Sequence, residues 1–317
     1  MLFDEINKWL YDVKFYEIKQ SSFDRLEITV LNNILPRLSD VPIESVTTED
    51  IQNLINDMYT KGYSYSTIKK VFEAINAFFK YELLMQRIDN IPTCAVKLPK
   101  KSKFPAHEMR FFNNDEIQKI KHYCNLKNKK EEYEYSYGQA FLLMLQTGIR
   151  VGEALALSID DADICHETLK IRKNKVSIKN RKGNKPVGGY KSVVQQPKTP
   201  TSIRDIPLNI EAIKCINSLV TKSRELNSNF LICNSNGNVP SVSQLEKSFY
   251  RILKVCNIQK CGLHTLRHTY ASRLFENNID IKTISAIMGH NDIRTTSQIY
   301  IHFYRDHFDV KLHNIII

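Results

Sequence analysis

The sequence predicts two domains: an N-terminal α-helical bundle, then a mixed, mainly α-helical domain with a small antiparallel β-sheet. Three observations support this fold class. Apolar residues recur at helical spacing through the first hundred residues. A basic, proline-punctuated stretch follows at residues 92–106. Further along, short segments alternate apolar and polar residues as strands do, before the helical spacing returns. A chain of 317 residues is long enough for two separate cores.

The first domain, residues 1–91, is predicted to contain four helices. In chain order they cover Met1–Val13, Phe23–Leu38, Thr48–Gly62 and a segment from Ser64 or Ser66 to about Arg87. Thr48 is the predicted cap of the third helix, and acidic residues occupy its first turn, where they favour the positive end of the helix dipole. Four helices of this length make a small bundle.

Residues 92–106 are the predicted linker, and residues 107–317 form the second domain. Its first predicted helix begins after Asn114. The next four cover Tyr137–Leu145, Glu153–Leu155, Ile210–Leu226 and Ser243–Val255, and three more helices lie between His264 and about Ile301. Its predicted strands are Thr168–Arg172, Lys191–Gln195 and Ser202–Pro207. Residues 180–189 contain three glycines and are predicted to be a turn-rich connection.

The composition excludes several classes of protein. The longest strongly apolar run, Ala140–Leu145, is far shorter than the roughly 20 residues that cross a membrane. The N-terminus lacks the basic and apolar regions of a secretion signal. Seven cysteines without framework spacing indicate reduced thiols. We therefore expect a cytoplasmic protein without membrane partners.

The positive charge is concentrated in the second domain. The net charge is +11, of which residues 1–100 carry −2 and residues 101–317 carry +13. The densest part, Lys170–Lys198, has ten Lys or Arg and no Asp or Glu. A solvated basic loop would explain this run. A surface for nucleic acid also would, because phosphate contacts dominate the affinity for DNA.

Five residues in the second domain suit chemistry on a phosphodiester. Arg150 and Arg267 offer fixed positive charge and a planar fork matched to two phosphate oxygens. His264 and His290 can accept and donate protons near neutral pH. Tyr300 carries a hydroxyl that can act as a covalent nucleophile. The set favours an enzyme that cuts and rejoins DNA, and hence the DNA interpretation of the basic run.

The segments around these residues resemble the tyrosine recombinase family, the integrases of phages and conjugative transposons. Thr147–Glu153 resembles the family's first arginine segment, and His264–Thr269 resembles its His-x-x-Arg segment. Leu274–Tyr300 resembles the segment that leads to the nucleophile, and Gln196–Pro207 the β-hairpin with the catalytic lysine. The layout also matches: a core-binding domain, a linker, and a catalytic domain with a C-terminal tail.

The resemblance implies a role for each matched residue. Arg150 and Arg267 would hold the nonbridging phosphate oxygens and stabilise charge on a pentacoordinate phosphorus. Tyr300 would attack and leave a 3′-phosphotyrosine with a free 5′-hydroxyl. His264 would act as acid or base, and His290 would hydrogen-bond the phosphate. The cationic side chains would make a metal or other cofactor unnecessary.

Two further residues receive roles from the resemblance. Lys198 would protonate the departing 5′-oxygen, with Lys191 as the alternative because the register of the hairpin is not known from sequence. Glu153 would orient its neighbours, among them His264. For the nucleophile, Tyr304 is the nearest alternative to Tyr300.

A zinc site is the main rival interpretation of the histidines. Cys256, Cys261, His264 and His268 cluster in sequence, and the two histidines are four apart on a predicted helix. Their spacing does not match a common zinc finger, and no Glu lies between the histidines as in zinc hydrolases. Packing roles for the two cysteines are favoured over metal binding.

Other functions share these features. A decayed, non-catalytic integrase would bind DNA only, but every matched catalytic position is intact. A type IB topoisomerase would use the same chemistry, whereas the preceding helical domain and the tail after Tyr300 favour recombination. A chromosome-dimer or cassette-type resolvase is the nearest alternative, since no arm-binding domain is evident. Family resemblance implies double-stranded DNA as partner, a homotetramer on DNA and an accessory DNA-bending factor. The apolar tail Ile301–Ile317 would pack on a neighbouring protomer or on its own domain.

Overall fold

The computed structural model describes residues 1–38, 40–105, 109–197, 199–294 and 296–297. Lys198, Tyr300, Tyr304 and the tail after Tyr300 lie outside the described residues. No described helix is both long and apolar enough to cross a membrane. The seven cysteines all lie in the described part and are free thiols.

The chain divides into two compact units. The first comprises Met1–His107 and Ser177–Lys191, and the second comprises Glu108–Val176 and Ser192–Ile317. The first unit is thus made of the N-terminal part of the chain together with a short segment from within the second part. This segment belongs to a β-hairpin described below.

The first unit is built from helices, as predicted. Its four helices are α1 (Leu2–Lys8), α2 (Gln20–Thr29), α3 (Thr48–Thr60) and α4 (Tyr65–Leu84). A π-helical stretch (Trp9–Lys14) and a last α-helical turn (Phe15–Glu17) continue α1, and the corresponding segments after α2 are Val30–Ile34 and Leu35–Leu38. The predicted cap of α3 was wrong by one residue. Thr47, not Thr48, caps the helix, because its side chain accepts from the backbone N–H of Asp50 while the Asp50 carboxylate accepts from the N–H of Thr47.

The second unit is mainly helical and contains a small sheet. The remaining helices are α5 (Asn114–Asn125), α6 (Gly138–Thr147), α7 (Val151–Ala154), α8 (Ile210–Glu225), α9 (Val242–Val255), α10 (His264–Glu276) and α11 (Ile281–Met288). The strands of the chain are β1 (Ala162–Asp163), β2 (Thr168–Ile171), β3 (Asn174–Lys182), β4 (Lys185–Gln195) and β5 (Arg204–Pro207). An antiparallel sheet has the order β1–β2–β5, with Leu169 opposite Ile206 and Ile171 opposite Arg204.

Strands β3 and β4 form a separate two-stranded hairpin. The turn-rich connection predicted for residues 180–189 was therefore wrong. Only Gly183 and Asn184 lie between the two strands, while Gly188 and Gly189 lie within β4. Glycine is disfavoured in strands, so the sequence pattern indicated a loop. The centre of this hairpin is the Ser177–Lys191 segment that belongs to the first unit.

Helix α6 is the central helix of the second unit. Nine of its ten residues are buried, and it packs against α5, α8 and α10. Helix α11 packs against α10 through a smaller apolar cluster that contains Phe275, Ile284 and Met288. This packing brings the C-terminal ends of α6 and α11 close to the first turn of α10, where the predicted site residues lie.

Candidate active site

Two helices end at the site on glycines in the left-handed conformation. Gly148 follows α6 with φ +63°, and Gly289 follows α11 with φ +61°. A Cβ on Gly148 would lie 2.4 Å from the ring of Tyr270, and one on Gly289 would lie 3.0 Å from Nη1 of Arg204. Glycine adopts this backbone conformation without strain, and its missing side chain avoids both close contacts. Both helices consequently present their terminal carbonyl groups to the site.

Arg267 lies in the first turn of α10 and is 1% exposed. Its Nη1 donates to the carbonyl oxygen of Gly148 at 2.7 Å, and its Nη2 donates to that of Met288. Among the described residues no carboxylate forms an ion pair with it. A buried guanidinium held by carbonyl groups keeps a positive charge that an anion would compensate. The position therefore suits one oxygen of a phosphate.

Arg150 is the second predicted arginine, and it is within reach of solvent. It precedes α7, and its side chain is 34% exposed. Nη1 donates to Oε1 of Glu153 at 2.8 Å, and Nη2 donates to the carbonyl oxygen of Gly289 at 2.9 Å. The two contacts fix the guanidinium plane while leaving further N–H groups for a ligand.

Glu153 is buried between two arginines. It accepts from Nη1 and the backbone N–H of Arg150, and both of its oxygens accept from Arg204, at 3.1 and 2.9 Å. Burial alone would raise the pKa of Glu153, but the charges and hydrogen bonds of Arg204 and Arg150 hold that pKa below its ordinary value. In the described part its hydrogen bonds go to these two arginines and not to His264. Glu153 is thus an ionised link between them.

Arg204 received no role from the sequence, although it lies in a segment that was singled out there. A signal was present: in β5 the buried residues are Arg204 and Ile206, and the exposed ones are Asp205 and Pro207. An arginine on the apolar side of an alternating strand is a buried charge, which requires a partner. That partner is Glu153.

The two predicted histidines are neutral in the free protein. Burial, followed by the charges of Arg267 and Arg150, lowers the pKa of His290 to about 3. Loss of hydration at the crowded site, followed by the same two guanidinium charges, lowers the pKa of His264 to about 4. Nδ1 of His290 lies 2.8 Å from Oγ1 of Thr296 in a hydrogen bond that orients the ring. Near pH 7 both rings are therefore unprotonated, and a bound phosphate would raise their pKa values and make them better proton acceptors.

The structure brings four of the predicted residues together, and Glu153 holds one of them, Arg150. Arg150, His264, Arg267 and His290 meet around the ends of α6, α10 and α11. The guanidiniums of Arg150 and Arg204 share the Glu153 carboxylate, and that of Arg267 has no ion pair in the described part, which leaves an excess of positive charge. Lys191 is an exposed residue of the first unit. The predicted Lys198 and Tyr300 lie outside the described residues, as stated above.

The alternative zinc site has no geometric counterpart in the described part of the chain. There, no group of three or more His, Cys, Asp or Glu side chains is arranged to hold a metal ion. Cys256 is buried in the apolar core of the second unit, and burial raises the pKa of its thiol to about 11. Cys261 packs partly buried against the same core. These cysteines serve packing.

The chain matches two models of known protein families. Residues 110–307 match the family described as "Phage integrase family", and residues 2–59 match "Phage integrase, N-terminal SAM-like domain". The first match spans the whole set of site residues, including Lys198 and Tyr300.

Individual relatives and solved structures are similar to this chain over most of its length. A tyrosine recombinase XerC-like protein of Caldanaerobacter subterraneus subsp. tengcongensis is 29% identical, with 94% of this chain and 78% of the relative covered. The integrase of Staphylococcus phage L54a is 26% identical, with 94% and 87% covered. The fold resembles the Tn1549 transposon integrase in complex with a circular intermediate DNA (TM-score 0.72, 22% identity, 92% and 93% covered). It also resembles a lambda integrase dimer bound to a core site (TM-score 0.69, 21% identity, 99% and 98% covered). The chain belongs to the phage integrase family, whose members are tyrosine recombinases.

Proposed function

We propose that the protein is a site-specific recombinase that cuts and rejoins double-stranded DNA through a 3′-phosphotyrosine at Tyr300. The observation that carries the proposal is the convergence of Arg150 and Arg267 beside two neutral histidines, with an excess of positive charge. A phosphodiester is an anion whose charge increases at the pentacoordinate stage, so this charge favours the transition state. Membership in the phage integrase family supports DNA as the substrate.

Cleavage exchanges one phosphoester bond for another. The Tyr300 oxygen attacks phosphorus and passes its proton to neutral His264, while the bond from phosphorus to the 5′-oxygen breaks. Lys198 gives a proton to that oxygen, which leaves as a hydroxyl. Arg150 and Arg267 bind the nonbridging oxygens, and His290 donates a hydrogen bond to the phosphate. The reverse sequence, with a 5′-hydroxyl from another strand, rejoins the DNA, and no step consumes a cofactor.

Recombination joins several DNA ends, and we propose that a homotetramer forms on DNA by exchange of the tail Ile301–Ile317. A lambda integrase tetramer bound to a Holliday junction is among the structures with this fold. At the site, a groove of about 430 Å³ is lined by the exposed side chains of Ile203 and Ile293 together with Thr201, Ser285, Ala286 and the basic residues Arg204, Lys282 and His290. An apolar tail segment from a neighbouring protomer suits this groove. An accessory DNA-bending factor and a cytoplasmic, nucleoid-associated location complete the proposal.

The biological outcome we propose is integration or excision of a mobile element. The phage L54a and Tn1549 integrases support this. A chromosome-dimer or cassette-type resolvase is the second candidate, because relatives named XerC and XerD also cover most of the chain.

The test of the proposed function is the covalent adduct. Wild-type protein, Tyr300→Phe and the matched control Tyr304→Phe are incubated, in EDTA, with DNA nicked so that cleavage is not reversed. Wild type and Tyr304→Phe should give an adduct that survives SDS, and Tyr300→Phe should bind DNA without forming it, because it lacks the attacking oxygen. An adduct that persists in Tyr300→Phe, or that forms only when a metal ion is added, contradicts the proposal.

A further inference from the structure

Three consecutive carbonyl groups at the end of α11 each accept a hydrogen bond from a different arginine. The carbonyl of Ile287 accepts from Arg204, that of Met288 from Arg267 and that of Gly289 from Arg150. The C-terminal end of a helix carries partial negative charge on such carbonyls, which favours cations there. His290 is the next residue in the chain. The arginines thus fix the turn that carries a predicted site residue.

Arg204 differs from the other two arginines because four of its five N–H groups donate to the protein. Nε donates to the carbonyl of Ile287 at 2.6 Å, Nη1 donates to Oε1 of Glu153 and to the carbonyl of Ser202, each at 3.1 Å, and Nη2 donates to Oε2 of Glu153 at 2.9 Å. Arg150 and Arg267 each use only two of their side-chain N–H groups in the described part. The Arg204 guanidinium is therefore not available as a phosphate ligand.

We infer that Arg204 is a positioning residue of the active site, which sets Arg150 through Glu153 and His290 through the Ile287 carbonyl. The inference rests on the proposed function. The Glu153 carboxylate divides its hydrogen bonds between the two arginines, so it leaves Arg150 with donors for a phosphate. The same guanidinium contacts Gly289, where an added Cβ would be 3.0–3.1 Å from its Nη1 and Cδ.

Loss of Arg204 has two expected consequences for geometry. The buried Glu153 would have one cation left, and its second oxygen would turn to the guanidinium of Arg150, using N–H groups that the phosphate needs. The carbonyl of Ile287 would lose its donor, and the turn to His290 would loosen. Both changes act on catalysis while the binding surface for DNA stays intact.

The experiment measures adduct formation in a single turnover at saturating protein, with DNA affinity determined separately. Arg204→Gln should form the adduct about 10–100-fold more slowly, the usual effect of removing a group that orients ligand-binding residues. Its DNA affinity should be unchanged. Arg204→Lys keeps the charge but cannot contact both Glu153 oxygens and the Ile287 carbonyl together, so its rate should be intermediate. The matched control is Arg110→Gln, another arginine of the second unit, whose side chain donates to the Glu116 carboxylate and to the backbone carbonyl of Gln259.

A neutral methylphosphonate at the cleaved position separates positioning from a general structural role. The transition state of the neutral group carries less negative charge, so Arg150→Ala should slow adduct formation less on this substrate than on ordinary DNA. If Arg204 acts through Arg150, the decrease in rate caused by Arg204→Gln should also be smaller on the methylphosphonate than on ordinary DNA. An equal loss on both substrates, or a full rate in Arg204→Gln, overturns the inference.

Parallel controls keep the outcome decisive. Thermal unfolding of each variant shows whether it is folded, and if Arg204→Gln is not, Arg204→Lys on the two substrates decides by the same criterion. Tyr300→Phe and wild type run alongside. If wild type forms no adduct, the proposed function fails. If wild type reacts and the Arg204 variants react equally well, only the positioning role fails.

Discussion

His264 and His290 stand in an unusual electrostatic environment for imidazoles. Burial and the neighbouring guanidinium charges hold their pKa values at about 4 and about 3, below the ordinary value of 6.5. Protonation thus favours the unfolded chain, and these rings contribute stability that is fully present above pH 6.5 and is lost as the pH falls towards 4 and 3. A bound phosphate would act in the opposite direction, because its negative charge favours imidazolium.

We expect the two imidazoles to be neutral near pH 7, and to become protonated at a higher pH in the DNA complex than in the free protein. In ¹³C-labelled histidine spectra of the free protein, both resonances should stay at the neutral position down to about pH 5, since the pKa values lie lower. With DNA bound, the transitions should move upwards. Affinity should therefore increase as the pH falls from 6.5 towards 4, because the complex binds more protons. Titration of both rings near 6.5 in the free protein would show that neither burial nor the guanidiniums lower their pKa values.

The residues of the site differ in how much of their role the sequence could reveal. Arg150, His264, Arg267 and His290 were predicted by motif, and the structure places them together. The role of Arg204 could not be found this way, since its acceptors are Glu153 and a backbone carbonyl far along the chain. A motif consists of residue types, whereas every residue type carries a backbone carbonyl, so a carbonyl acceptor at a helix end leaves no mark in a motif.

At the scale of elements, the helices were predictable and the hairpin β3–β4 was not. Helical spacing of apolar residues is a local signal, so the four N-terminal helices were predicted in number and approximate position. The first continues to Glu17 rather than Val13, the second begins at Gln20 rather than Phe23, and the cap of the third is shifted by one residue. The hairpin is stabilised instead by charged residues from a distant segment. The side chain of Arg181 is 4% exposed, and its Nη2 donates to Asp24 and to Glu27 at 2.6 Å each.

The buried charges in this contact are balanced and hydrogen-bonded. Glu27 is fully buried and also accepts from Lys179 at 2.8 Å and from the hydroxyl of Tyr11 at 2.7 Å. Burial would raise the pKa of Glu27, but Arg181 and Lys179 lower it below its ordinary value, while burial beside this carboxylate raises the pKa of Tyr11 to about 12. The Arg181 guanidinium also lies 4.7 Å from the ring centre of Phe23.

Arg181→Ala should strongly destabilise the first unit. It removes the cation from between Asp24 and Glu27, and an uncompensated buried charge costs about 3–5 kcal/mol of unfolding free energy. Urea unfolding of the whole chain, followed by the fluorescence of Trp9, which lies in this unit's core, gives the measurement. The control is Lys182→Ala, an exposed neighbour that should change stability by less than about 0.5 kcal/mol. Equal stability of the two variants would mean that the hairpin contact does not contribute.

At the scale of the whole molecule, the hairpin changes how the charge is distributed. By sequence, residues 1–100 carry −2 and the remainder +13. With Ser177–Lys191 counted where the structure places it, the first unit carries +5 and the second +6. Both units are therefore basic, and each is suited to bind DNA phosphates. The division into a helical and a mixed domain was predictable from periodicity, but this balance depends on a long-range contact between charged groups.

The hairpin should contribute phosphate contacts of its own. Lys182, Lys185 and Lys191 are exposed on it, so we expect their replacement by Gln to weaken DNA binding and to reduce the slope of log affinity against log salt. Each lost contact removes about 0.9 from the slope, so three contacts would remove about 3. The matched control, Lys129, Lys130 and Lys214 to Gln, removes the same charge from exposed positions near Glu131 and Glu211. Fluorescence anisotropy with labelled duplex at several salt concentrations gives both slopes. A control slope that falls as much as the hairpin slope would show that overall charge, and not the hairpin, determines affinity.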